Sequence, residues 1–227
     1  MDRPRTKVAI LFSGQATPDQ QSLLGGLFGA IAGEVVIAGG LDGVGPEDLQ
    51  AMAPAAGEPR IMTELLDGAT VVVDRSTLTA RLQDKIEELA KGGCDLLVCL
   101  TTCVCPESTF GVPALFATPL LEAIVRATLP AGSRLGVVVP LSSQVAQIGA
   151  FWANRGYEVT CAAADPWGDL GAVDEAGERL AAVRPLLVVM DCFAYSREHR
   201  ERLRRSVGGL VLLPQEVLIP LALHMLS

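Results

Sequence analysis

The run LLVVMDCFAYS, residues 186–196, decides how this chain reads. Leu186 to Met190 is an unbroken apolar stretch, the pattern of a parallel strand buried on both faces. It stops at an acid and a thiol, Asp191 and Cys192, then breaks into a polar loop. In open α/β sheets the ligand crevice lies beyond the carboxyl ends of the strands. Cys192 is therefore placed for chemistry rather than packing. A second apolar run, LLVCLT (96–101), ends in the loop TTCVCPEST. Two such strand ends, one in each half of the chain, predict a single site built between two lobes.

Strand and helix signals alternate around these runs. VAILF (8–12), VVIAGGL (35–41), RLGVVVP (134–140), EVTCAAA (158–164) and GLVLLP (209–214) read as further strands. Helices are expected at about 18–32, 46–52, 77–93, 119–128, 142–155, 173–183 and 197–207, with another closing the chain. Leu78, Leu82, Ile86 and Leu89 make the clearest amphipathic stripe. Asp67-Gly68, between two β-like runs, signals a hairpin over 60–74. This alternation argues for parallel sheets with right-handed crossovers.

Composition narrows the function. The 227 residues are 50% hydrophobic, enough for a sizeable core in one large or two small lobes. A formal net charge of -8 repels phosphate backbones, so nucleic acid is not expected as a partner. The basic run SREHRERLRR (196–205) contains two Glu at helical spacing and reads as a solvated helix face. No secretory signal or bilayer-spanning segment is read, and a cytoplasmic location is expected. The six cysteines then imply free thiols rather than a disulfide framework.

Three constellations could carry chemistry. In the loop SGQATPDQ (13–20), Gly14 permits a tight turn and the next helix start offers free N–H groups to a carboxylate. Ser13 and Gln15 could add donors, although a plain βα turn would look the same. In CLTTCVC (99–105), Cys99, Cys103 and Cys105 match no common zinc spacing, and no C-x-x-C redox pair is present. A redox-sensing loop is the weaker reading there. The preferred one turns the Thr101 and Thr102 hydroxyls toward a substrate. At Asp191-Cys192, a following helix N-terminus would favour a thiolate able to move a proton at carbon beside a carboxylate. The competing reading is an inert buried cysteine with Asp191 as helix cap. Cys94 and Cys161 read as packing residues.

Several segments resemble the AroM family, within the Asp/Glu/hydantoin racemase superfamily. GGLDGVGPEDL (39–49) is similar to that family's GALDGLS segment. LLDGATVVV (65–73), RLGVVVPLSSQ (134–144) with Trp152, ADPWGD (164–169) and MDCFAYS (190–196) follow in the family's order. The resemblance implies an α/β fold of two similar lobes, each a small mostly parallel sheet flanked by helices, with the active-site cleft between them. On this pattern residues 1–117 with 213–227 form one lobe and 118–212 the other. It also implies a small-molecule carboxylate substrate, no metal or organic cofactor, and allows a homodimer. Superfamily racemases use two cysteines, one from each lobe.

Here Thr101 stands where many family members have the first cysteine, and Pro18 where they have an arginine. A Thr hydroxyl is no carbon base near neutral pH without strong activation. One-thiol chemistry at Cys192, with Thr101 opposite, is therefore expected: decarboxylation with protonation, as in the arylmalonate decarboxylases, or isomerisation. Cys103 could replace the missing thiol if its loop is displaced. Ser13, Gly14, Gln15, Thr102, Cys103 and Tyr195 are the expected substrate contacts. A catalytically silent small-acid-binding or regulatory protein of the same fold is the alternative.

Overall fold

The computed structural model describes residues 6–102 and 109–227. The chain divides into two compact units, Met1–Thr118 with Leu218–Ser227, and Pro119–Val217. The C-terminal return to the first unit falls inside the last helix, at Leu218, rather than at residue 213. Among the described residues, no helix is long and apolar enough to cross a membrane.

The first unit holds a parallel sheet in the order β2-β1-β5-β6. Its strands are β1 (Lys7–Phe12), β2 (Glu34–Gly39), β5 (Leu96–Leu100) and β6 (Ala114–Phe116). β6, only three residues long, has too little pattern to be read from sequence. Phe12 is in register with both Gly39 and Leu100, so β1, β2 and β5 end at one level. Helix α1 (Pro18–Gly29) follows β1, and the short α2 (Pro46–Ala51) follows β2. The expected hairpin is β3 (Arg60–Glu64) paired antiparallel with β4 (Thr70–Asp74).

Helix α3 (Arg75–Lys91) begins where Asp74 accepts the Thr77 N–H at 2.8 Å. Its stripe Leu78, Leu82, Ile86 and Leu89 is buried against Ala9, Leu11, Leu97 and Cys99, one face of the sheet. The 3.6-residue period brings those four side chains to one side of the helix, as expected.

The second unit repeats the plan with sheet order β10-β9-β7-β8. The strands are β7 (Arg134–Val139), β8 (Glu158–Ala163), β9 (Leu187–Met190) and β10 (Leu210–Leu212), all parallel. Its helices are α4 (Ala117–Thr128), α5 (Val145–Ala153), α6 (Gly171–Ala181) and α7 (Arg197–Val207), while α8 (Gln215–Leu226) begins in this unit and ends in the first. A 3-10 turn, Ser142–Gln144, precedes α5, so the helix expected from 142 starts as a tighter coil. The basic face of α7 is a helix surface paired with acids: Arg197 with Glu216 at 2.8 Å and Arg202 with Asp174 at 2.6 Å. Such exposed pairs add little stability.

Loops at the carboxyl ends of β1 and β2 are tied together by side chains. Asp42 accepts the Gly39 N–H at 2.6 Å and the Ala16 N–H at 3.0 Å, and the Leu41 N–H donates to the Gly14 carbonyl at 3.0 Å. The backbones come so close that a Cβ on Gly14 would lie 2.2 Å from the Glu64 carbonyl oxygen. No rotamer change relieves a clash with backbone. Gly14→Ala is expected to cost about 1–3 kcal/mol, which equilibrium denaturation of the purified protein would detect. An unchanged midpoint would show that the β1 loop and the hairpin are not packed this way.

Candidate functional site

In the second unit, β9 ends at Met190 and the chain turns at once. The Asp191 N–H donates to the Val138 carbonyl oxygen at 2.8 Å, extending the ladder by one step. The Cys192 N–H then donates back to the Met190 carbonyl oxygen at 2.9 Å, closing a three-residue turn. The result sets Cys192 half-buried just beyond the strand, against the apolar cluster of Val138, Met190, Tyr195 and Leu213. Its Sγ accepts the Ala194 N–H at 3.4 Å.

The helix N-terminus expected to serve this sulfur does not. α7 starts at Arg197, five residues on, and caps itself. The Ser196 hydroxyl oxygen accepts the His199 N–H at 3.4 Å, and His199 Nδ1 accepts the Ser196 N–H at 2.9 Å. This is a capping box with histidine as the third-position acceptor. Asp191 is therefore not the cap either. The sulfur takes its hydrogen bond from a loop amide, that of Ala194.

Tyr195, expected to touch substrate, is turned inward instead. The residue is 0% exposed and its hydroxyl donates to the Ala164 carbonyl at 2.6 Å. Burial first, then the neighbouring Cys192 and Asp191, hold the phenol well above its ordinary range. A protonated, enclosed phenol already bonded to backbone is a brace. Sequence reasoning misses Gln215, whose Nε2 donates to the Tyr195 carbonyl. The available signal is its position just after the last strand. Cys161 on β8 is pushed up to about 12, by burial and then by Asp191. Burial likewise raises Cys94.

In the first unit, Ser13 follows β1 and its hydroxyl pairs with that of Thr63 at 3.0 Å, a partner no sequence signal indicates. Gln15 is another correction. Its Nε2 donates to the Leu41 carbonyl oxygen at 3.1 Å and its Oε1 accepts the Leu66 N–H at 2.8 Å, so both polar ends of the side chain bind protein. The start of α1 is no open anion seat. Thr17 and Gln20 cap each other's amides at 3.1 and 3.3 Å. Gly14 is buried under the hairpin.

Thr101 and Thr102 follow β5, only 6% and 7% exposed, and the Thr102 carbonyl accepts the Thr118 hydroxyl at 2.5 Å. Cys99 is a core residue. Cys103 and Cys105 lie outside the described residues, and with them the displaced-loop and redox readings. Among the described residues no cluster of three or more His, Cys, Asp or Glu could hold a metal ion.

Solved structures that superpose on this chain include racemases and a decarboxylase. A glutamate racemase from Aquifex pyrophilus superposes with a TM-score of 0.58 at 15% identity, covering 98% of this chain and 84% of that one. Arylmalonate decarboxylase gives 0.58 at 12% identity, covering 97% and 92%. An aspartate racemase homologue from Pyrococcus horikoshii OT3 gives 0.54 at 12%, covering 98% and 99%. At such identities the likeness establishes the fold, that of the Asp/Glu racemase superfamily. No curated protein matches the sequence. The description "AroM protein" matches residues 17–226, and the chain belongs to the AroM family.

The His199 cap carries a pH consequence. Burial holds its imidazole below the ordinary 6.5. A group depressed in the folded state binds its proton more readily when unfolded. Its stabilising contribution is complete above about 6.5 and is lost as pH falls through the depressed value. His199→Gln keeps a capping-box acceptor that does not titrate. The urea midpoint of the parent should therefore fall more between about pH 7.5 and 5 than that of His199→Gln. Parallel pH curves would remove His199 from the account.

Proposed function

We propose that this chain is a cofactor-independent enzyme that moves a proton at carbon α to a carboxylate or carbonyl of a small organic or amino-acid-derived acid, with Cys192 as the working thiol. The observation that carries this reading is the seat of Cys192 at the carboxyl end of β9, half-buried, with the Ala194 amide on its sulfur. A hydrogen bond to sulfur favours the thiolate over the thiol; the thiolate can take a proton from carbon, and the thiol so formed can return one. The racemase and decarboxylase neighbours support the reading only through their shared fold.

Thr101 directs the reaction type. A symmetric two-base racemase needs a second carbon base, and a buried threonine does not provide one. One-faced chemistry follows: loss of a carboxyl group as carbon dioxide leaves an electron pair on the α-carbon, which the Cys192 thiol protonates. Isomerisation through a one-sided proton shift uses the same thiol. Thr101 in place of a first cysteine, and Pro18 in place of an arginine, favour a second reading, a binding protein that holds a small acid unchanged.

Incubation in heavy water with a panel of small carboxylic acids tests the assignment whatever the product is. Deuterium should appear at an α-carbon, and Cys192→Ser should slow its incorporation by about 10²-fold or more while leaving the circular dichroism spectrum unchanged. Full exchange by Cys192→Ser would overturn the assignment of the thiol. A parent Cys192 that alkylates no faster than an ordinary cysteine would favour the binding protein.

A further inference from the structure

We propose that Tyr195 is the positioning residue for the Cys192 thiol: its hydroxyl, donated to Ala164, pins the 191–196 loop to the end of β8 and so holds the Ala194 amide on the sulfur. This rests on the reading of Cys192 as the working thiol.

The loop is short and fixed at both ends. It leaves β9 at Met190, whose carbonyl already holds the Cys192 amide at 2.9 Å. It then reaches Tyr195, which has no exposed surface. Three contacts converge on that residue. Its hydroxyl binds the Ala164 carbonyl at 2.6 Å, its own carbonyl accepts Gln215 Nε2, and its ring meets His199 edge-on at a centroid distance of 5.8 Å. The next residue, Ser196, is locked into the α7 cap. Between these anchors the peptide carrying the Ala194 N–H has little freedom, and that N–H lies 3.4 Å from Cys192 Sγ.

The brace stays a donor under working conditions. Burial, and after it the charges of Cys192, Asp191, Asp165 and Cys161, keep the phenol protonated far beyond neutral pH. The contact also joins two separate segments, because Ala164 opens the ADPWGD turn after β8 and Tyr195 belongs to MDCFAYS after β9. β8 and β9 flank β7 on opposite sides, so the bond spans the carboxyl edge of three strands. Gln215, after β10, extends the brace to the fourth.

Tyr195→Phe keeps the ring and removes the donor, and Gln215→Ala removes the second tie. Each full-length protein is alkylated with iodoacetamide between about pH 6 and 10, spanning the ordinary thiol range, and Cys192 is followed separately from the other thiols by peptide mass spectrometry. In the parent, Cys192 should react faster near neutral pH than Cys161. In Tyr195→Phe the midpoint of the Cys192 profile should move up by about half to one pH unit, making the reaction about 3- to 10-fold slower at neutral pH, with a smaller shift in Gln215→Ala. A purely structural role would lower the melting temperature and leave that midpoint in place. An unmoved midpoint in the folded variants overturns the positioning role. If the parent's Cys192 is no faster than its Cys161, the working-thiol reading falls instead. Should Tyr195→Phe fail to fold, Gln215→Ala decides by the same readout.

Discussion

Strands buried on both faces leave polar groups few places to go. β5, β7 and β9 present almost unbroken rows of buried aliphatic side chains, and their backbone groups are consumed by parallel ladders. Polarity is thereby displaced to the strand ends. There the chain must reverse while keeping its amides and carbonyls paired, because an unpaired buried backbone group costs about 1–3 kcal/mol. The architecture of both units follows from how those carboxyl-end loops are satisfied.

The solution is the same in each unit, a polar side chain bonded to the backbone of a neighbouring loop. In the first, Gln15 bridges Leu41 and Leu66, and Asp42 collects the amides of Gly39 and Ala16. In the second, Tyr195 reaches Ala164 and Gln215 reaches Tyr195. These residues look like ligand-binding groups in the sequence because they are polar and sit after strands. Most are used internally. What remains beside the second sheet is a thiol with an amide on it, while Cys161, on β8, is pushed up by burial and by Asp191. Of these two cysteines beside one sheet, one lies inside a strand and the other just past a strand's end.

Much of this is legible in local sequence. The bounds of α7 can be read directly, because Ser196 begins it and Gly208, in the left-handed conformation, ends it. The α3 stripe and the Asp67-Gly68 hairpin are likewise written in local periodicity and turn chemistry. The position of Cys192 after a buried strand follows from the break between Met190 and Asp191. The three-residue β6 is not legible, and neither is the gap between Cys192 and the next helix. A run such as FAY contains no signal separating a loop from a first helical turn.

The sequence by itself determined the alternation of strands and helices, the family pattern, and the residue types at the strand ends, since each is a property of neighbours along the chain. Only the tertiary structure decided which of those polar residues face inward. Tyr195 binds the carbonyl of Ala164, Gln15 binds Leu41 and Leu66, and Ser13 meets Thr63. These partners are tens of residues away and are brought together by sheet register and the packing of the hairpin, which no local pattern encodes.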